Sequence, residues 1–157
     1  DIDEALYLAN KLAIIHEGKL IQLGTKEEVF KNPKNKLVAN FLGYKNIFKG
    51  SINNKNQFIL NDLCIQLDSR PHINRETYIL IPPESITISS NIAASSARNN
   101  FQGTITEVIS KNGFYEIILD CKIQLSVYIT HQSYSDMNLS KSKQVNISFK
   151  ATSIKVF

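Results

Sequence analysis

Residues 101–130 read FQGTITEVISKNGFYEIILDCKIQLSVYIT, and this stretch decides the fold. Apolar, β-branched and aromatic residues alternate with polar ones along FQGTITEVIS and again along FYEIILDCKIQLSVYIT. A period of two suits a half-buried pleated strand and not a helix. The texture begins at Asn46 and continues: NIFKGSI, FILNDLCIQLD, TYILI, ESITIS and VNISFKATSIKVF also read as strands, separated by Asn, Gly, Ser, Pro and Lys turns. In roughly 110 residues this is enough for a small closed or nearly closed barrel, whose closure removes exposed edges. A stretch of low hydrophobicity, Ser89 to Asn100, divides a first strand group from a second that could stand as its own unit.

The N-terminal part is different. Ile2, Ala5, Leu6 and Ala9 share one face of a short amphipathic helix. Leu12–Ile15 and Leu20–Leu23 are apolar runs joined at Glu17-Gly18-Lys19, a hairpin whose glycine permits a positive φ. Thr25 and Glu28 have the Thr-x-x-Glu spacing of a capping box opening a helix that runs to about Pro33. Leu37, Val38, Phe41 and Leu42 predict a second apolar helical face, ended by Gly43 as a C-cap.

Composition excludes several classes. The 157 residues carry 18 basic and 14 acidic side chains, a net charge of +4 spread as single lysines, which argues against a dedicated nucleic-acid surface. Cys64 and Cys121 give neither a zinc spacing nor a disulfide framework and are expected to be reduced core residues. His72 and His131 have no partner at metal spacing, so no metal site is expected. The Tyr and Phe side chains recur at period two, as in core and cross-strand packing. No apolar run approaches the roughly 18 residues of a membrane span, and no basic-then-apolar leader is present, so the chain reads as soluble and cytoplasmic. It opens without methionine and with a helix under way, as if cut from something longer.

The first segment resembles the end of an ABC transporter nucleotide-binding domain. Asp1, Glu4, Ala5, Gly18, Lys19, Gly24, Thr25, Glu27, Glu28, Val29, Phe30 and Pro33 match that family's Asp-x-x-Glu-Ala helix, hairpin, Gly-Thr and Glu-Glu-Val-Phe run in order and spacing. In the family the switch histidine would fall one residue before Asp1. His16 lies well past that position, in the first hairpin strand. Phe41-Leu42-Gly43 and Asn46-Ile47-Phe48-x-Gly50 look like the junction that importers of this family place before a C-terminal regulatory barrel. Pro83-Glu84 resembles that barrel's Arg-Pro-Glu, with Pro82 where the arginine is expected. The sequence contains no Gly-x-x-x-x-Gly-Lys-Ser/Thr, no LSGGQ-like signature and no Walker B strand, so ATP hydrolysis by this chain alone is not expected.

The second strand group is similar to the Mop-like molybdate and tungstate binding domains. Ser96-Ala97-Arg98-Asn99-x-Phe101-x-Gly103, Thr130-x-x-Ser133 and Phe149-Lys150-Ala151-Thr152 carry the likeness over residues 95–157. Where the family has a turn glycine before the last strand, this chain has Ser142. The resemblance implies a mainly β chain. An OB-like barrel of the TOBE/Mop kind would form from a first strand group at 45–94 and an oxyanion-binding unit at 95–157, preceded at 1–44 by a short α/β remnant of an ATPase domain. In that family the oxyanion lies between two copies of the domain. This implies Ser96, Ala97, Arg98, Lys150, Ala151 and Thr152 from one side and Thr130 and Ser133 from the other.

The chemistry suits such residues. A tetrahedral dianion only accepts hydrogen bonds, so its site needs donors and no carboxylates. Each hydrogen bond to a charged group contributes about 1.5–3 kcal/mol, and micromolar affinity needs roughly 8 kcal/mol, so more donors must converge than one short loop can aim. Arg98 and Lys150 would offset the two charges. Taken singly, Ser95 and Ser96 with Asn99 and Asn100 would be a turn, Lys150 a solvated charge and Thr130 a plain strand residue.

The resemblance implies the C-terminal region of a molybdate or tungstate importer's ATP-binding subunit, sensing cytoplasmic oxyanion across a homodimer to regulate uptake. No covalent cofactor is implied. ATP and magnesium would belong to the full-length parent, which would meet transmembrane permease subunits at the inner face of the membrane. The alternatives are a structural or dimerising barrel from a sulfate, polyamine or sugar importer, a Mop-like cytosolic molybdate-binding protein, and an OB-like module for single-stranded nucleic acid.

Overall fold

The computed structural model describes residues 9–68, 77–90 and 97–157. The helix expected around Ile2, Ala5 and Leu6 lies outside these residues, as does His72. Strands β1 (Lys11–His16) and β2 (Lys19–Thr25) form the predicted hairpin. Its turn places Glu17 (φ 49°) and Gly18 (φ 72°) in the left-handed region, the two-residue geometry that matches strand twist. Thr25 caps α1 (Lys26–Lys31): its hydroxyl accepts from the Glu28 amide, and the Glu28 carboxylate accepts from the Thr25 amide at 2.8 Å. Asn35 caps α2 (Lys36–Phe41) through its side-chain oxygen.

Ile14, Val29 and Val38 make a small core for this segment, with Leu12, Ile21 and Leu42 packed against it. Phe41, expected on the inner face of α2, is 52% exposed. The buried face is centred between Val38 and Ala39, and at 100° per residue Phe41 falls about 110° away from it. Ile15, Leu20 and Leu23 are also exposed, on the outer face of the hairpin.

From Asn46 the chain is β, as predicted. The strands are β3 (Ile47–Ile52), β4 (Gln57–Leu60), β5 (Leu63–Gln66), β6 (Thr77–Leu80), β7 (Thr87–Ser89), β8 (Asn99–Lys111), β9 (Phe114–Asp120), β10 (Gln124–Ile129), β11 (Gln144–Phe149) and β12 (Lys155–Val156). Helix α3 (His131–Asp136) joins β10 to β11. FILNDLCIQLD is two strands and not one: Asn61 takes a left-handed φ of 52°, and the hairpin of β4 and β5 turns there. Ser142 also stands at a positive φ, 69°, where the sequence comparison expected a glycine.

The strands form two five-stranded antiparallel sheets, ordered β12-β6-β3-β4-β5 and β7-β11-β8-β9-β10, curled into half-barrels around one shared core. The two sheets repeat one another. Asn46-x-Phe48-x-Gly50 opens β3 as Asn99-x-Phe101-x-Gly103 opens β8. Each is followed by a hairpin, a returning strand (β6 or β11), a one-turn 3-10 segment (Pro83–Ser85 or Ala151–Ser153) and a short last strand. The last strands are exchanged in the same register: Ile88 of β7 faces Ile147 of β11, and Val156 of β12 faces Ile79 of β6. Phe58, Ile65, Ile79 and Ile81 from one sheet and Ile105, Ile117, Leu119, Leu125 and Ile147 from the other are all but fully buried in the common core.

Buried asparagines close the two seams. Asn46 is 1% exposed; its Nδ2 donates to the Ser126 carbonyl at 2.7 Å, and its Oδ1 accepts from the Ser126 amide at 2.7 Å. Asn99, 2% exposed, treats Gln66 in the same way, donating to its carbonyl at 3.0 Å and accepting from its amide at 2.7 Å. Each side chain thus stands in for one residue of a partner strand.

The repeated glycines differ in how much room they have. A Cβ on Gly50 would strike the Ile59 carbonyl oxygen and lie 2.5 Å from the Phe58 ring, whereas on Gly103 it would first meet the mobile end of Ile147, at 2.9 Å. We expect Gly50→Ala to lower stability by about 3 kcal/mol or more and Gly103→Ala by about 1 kcal/mol, read as denaturant midpoints. Equal losses would contradict this account of the repeat.

Candidate functional site

Asn99 faces Phe149 in the ladder between β8 and β11, so Arg98 and Lys150 occupy the next position, at one end of that sheet. Both are exposed. Beyond Lys150 the backbone tightens into its 3-10 turn: the Lys150 carbonyl accepts from the Ser153 amide at 3.1 Å. This buries Ala151 and leaves Thr152 exposed. The Ala97 carbonyl accepts from Asn100 Nδ2 at 2.8 Å, which folds the loop back onto the strand. Ser96 lies outside the described residues. The structure therefore brings together Ala97, Arg98, Lys150, Ala151 and Thr152, from two segments some 50 residues apart in sequence.

Of these five, Arg98 alone borders a cleft of about 500 Å³, whose other walls include Asn100, Gln57, Cys64 and Gln66. No carboxylate lines it among the described residues. Cys64 corrects the sequence reading: it is exposed, because Leu63 and Ile65 take the inward positions of β5 and alternation turns the thiol outward. Cys121 is buried as expected, and both cysteines are free.

Thr130 and Ser133 lie elsewhere. Thr130 is the N-cap of α3, accepting from the Ser133 amide at 3.1 Å, with the two hydroxyls 3.0 Å apart. Ile129 faces Tyr115, and Tyr115 faces Ser110 of β8. The Thr-x-x-Ser pair thus belongs to the far end of a 13-residue strand whose near end carries Arg98. At roughly 3.3 Å per residue that is on the order of 40 Å along the strand. One copy of the chain does not assemble the two groups.

A second cluster, which sequence reading missed, surrounds Glu116. This side chain is 2% exposed; its Oε1 accepts from Lys45 Nζ and from Ser126 Oγ, each at 2.7 Å, and Lys111 Nζ stands 3.8 Å from Oε2. Burial pushes the Glu116 carboxyl up, but the hydrogen bonds from Lys45 and Ser126, with the charges of Lys45 and Lys111, outweigh it and hold the group below its ordinary 4.5. Nearby, burial first and the charge of Glu84 second push the Tyr44 phenol up to about 12. The signal was available: Lys45 precedes Asn46 as Arg98 precedes Asn99. His131 packs edge-on against Tyr115 at 4.7 Å, and no metal-binding group of His, Cys, Asp or Glu occurs among the described residues.

Comparison with known proteins places the chain by family and fold. Residues 95–156 match the TOBE domain. The molybdate/tungstate import ATP-binding protein of Pyrococcus abyssi is 30% identical over 99% of this chain, and the chain spans 44% of that relative's length. The spermidine/putrescine import ATP-binding protein of Borreliella afzelii is 31% identical over 76% of this chain and 33% of its own length. A solved structure of the cytoplasmic molybdate-binding protein ModG with molybdate bound superposes with a TM-score of 0.58, covering 71% of this chain and 94% of that one at 14% identity, and so shares the fold.

The Glu116 cluster makes a pH prediction. A carboxyl held below its ordinary pKa contributes stability that is present above 4.5 and lost as pH falls through the lower folded-state value. Glu116→Gln should cost about 2 kcal/mol at pH 7, and the gap to wild type should close in acid below pH 4.5. Unfolding curves across pH 3–7 check this: a gap that stays constant would mean that the carboxylate charge is not what Lys45 and Ser126 hold.

Proposed function

We propose, from the premise that residues 95–156 of this chain are a TOBE domain and that the chain is a relative of molybdate/tungstate import ATP-binding proteins, that it is a regulatory region which binds a tetrahedral oxyanion between two copies of itself. One copy supplies Ser96, Arg98, Lys150 and Thr152, with the backbone around Ala97 and Ala151, and the other supplies Thr130 and Ser133.

The observation that carries this reading is the separation of the two donor groups along β8. Arg98 with Lys150 concentrates positive charge at one end, and Thr130 with Ser133 offers two hydroxyls at the other. A second copy set beside the first supplies what either lacks. The dianion then holds the copies in one arrangement, and because it binds that arrangement better than any other, rising anion shifts the population toward it.

In the parent subunit that shift acts on ATP hydrolysis. Residues 1–44 are the end of the ATPase domain, and 45–94 and 95–157 are the two strand groups of the sensor. ATP and magnesium bind upstream. Permease subunits place the assembly at the inner face of the membrane, where abundant oxyanion slows its own import. A polyamine is disfavoured as ligand, since Arg98 and Lys150 would repel a cation.

Titration calorimetry with molybdate, tungstate and sulfate tests the site. Heat is expected with molybdate or tungstate, and Arg98→Ala and Lys150→Ala should each weaken binding at least tenfold with the barrel's thermal midpoint nearly unchanged. Sedimentation should show the dimer favoured by the anion. Unaltered affinity in both variants would place the site elsewhere.

A further inference from the structure

The tandem symmetry assigns counterparts to the described residues around Arg98. Aligned on Asn-x-Phe-x-Gly, Lys45 takes the place of Arg98 and Tyr44 that of Ala97. Aligned on the pairs Asn46 with Ile81 and Asn99 with Phe149, Pro82 takes the place of Lys150 and Glu84 that of Thr152. The asparagine clamps pair Ser126 with Gln66 as counterparts. The fold therefore presents the same corner twice, once at Lys45 and Ser126 and once at Arg98 and Gln66.

The two corners differ in what fills them. At Arg98 there is the cleft of about 500 Å³. At Lys45 there is the carboxylate of Glu116, buried and held by an ammonium, a hydroxyl and a second ammonium. That is the donor set expected around a tetrahedral oxyanion. Hairpin length explains the difference. Gln57 at the start of β4 is the register counterpart of Ile118, so Glu116 lies in an extension of β9 that β4 lacks. The 13-residue β8 and 7-residue β9 carry a carboxylate as far as Lys45, while the 6-residue β3 and 4-residue β4 stop short of Arg98.

We propose that Glu116 is a resident anion: its carboxylate occupies, at the first corner, the place that an external dianion takes at the second. The chain thus offers one exchangeable oxyanion position and not two. Lys45 comes from the first repeat, and Glu116, Ser126 and Lys111 come from the second. The resident anion also ties the halves together without any ligand. The inference rests on the oxyanion reading of Arg98 only for what fills the second corner.

The test uses the full chain, with molybdate and sulfate as probes. Wild type is expected to saturate at one molybdate per chain. Glu116→Ala, which empties the space between Lys45, Ser126 and Lys111, should saturate at two, with sulfate competing at the new position. Glu116→Gln keeps that space filled and should stay at one. Saturation of E116A at one, or of wild type at two, overturns the proposal.

If wild type takes up no molybdate, the reading of the Arg98 site fails, yet this inference is still decided. The thermal midpoint of E116A should then rise with sulfate relative to chloride at equal ionic strength by several degrees more than that of E116Q or wild type. Equal rises in all three remove the resident anion. Should E116A fail to fold in chloride, recovery of folded protein in sulfate or molybdate upholds the proposal, and no recovery in either rejects it.

Discussion

A buried asparagine amide stands at each of the two places where one half-barrel meets the other. It offers a donor and an acceptor on one short side chain, the same pair that a strand residue offers, so it can satisfy the amide and carbonyl of a neighbour that has no ladder partner there. Asn46 does this for Ser126 and Asn99 for Gln66. Loss of either would leave buried main-chain groups unpaired, at about 1–3 kcal/mol each. These clamps also locate neighbouring strands and corners. They fix where β10 lies against the start of β3 and where β5 lies against the start of β8. They also set the residue before each asparagine, Lys45 or Arg98, at a corner between the two sheets.

From that common frame the halves diverge through strand length. The longer β8–β9 arm carries Glu116 to Lys45 and seals one corner; the shorter β3–β4 arm leaves the other open. A carboxylate attached to the chain needs no translational freedom to be given up on binding, so it holds its cations at any anion concentration. An external dianion must overcome that cost and dissociates when dilute. On the proposed reading, one fold supports a permanent tie and a concentration-dependent one at related positions.

Much of this was legible in the sequence. Strand alternation, the Glu17-Gly18 turn and the Thr25 capping box all came from local rules, and local rules held because each depends on a few adjacent residues. The splitting of FILNDLCIQLD at Asn61 did not, since Asn-Asp inside an apolar run looks like polar alternation until the left-handed φ is seen. Phe41 misled because an apolar pattern over six residues does not say which arc of the helix is covered. The site divides in the same way. Arg98 and Lys150 were legible from a motif and adjoin in the fold, whereas Glu116 is an ordinary strand residue until Lys45 is placed beside it across 71 positions. The Asn-x-Phe-x-Gly repeat was present at both Asn46 and Asn99. Its meaning lies in pairings between distant strands, which no local pattern records.

The position of Lys45 gives the closed corner a second consequence. Lys45 follows Tyr44, whose hydroxyl donates to the Phe30 carbonyl at 3.0 Å, and precedes the clamp at Asn46. Lys36 lies over the Tyr78 ring at 4.1 Å, and Lys155 donates to Asn32 Oδ1 at 2.9 Å, so the helical segment is fastened to β6 and β12 as well. These are exposed or half-exposed contacts, each of modest strength. One residue beyond Tyr44, the half-exposed Lys45 side chain reaches in to the buried Glu116 carboxylate and adds a tie to β9. If the barrel acts as the proposed sensor, passing the state of its open corner to the segment preceding it, it needs a joint that does not yield first. The sealed corner, lying between that segment and the rest of the barrel, meets the requirement without spending any ligand on it.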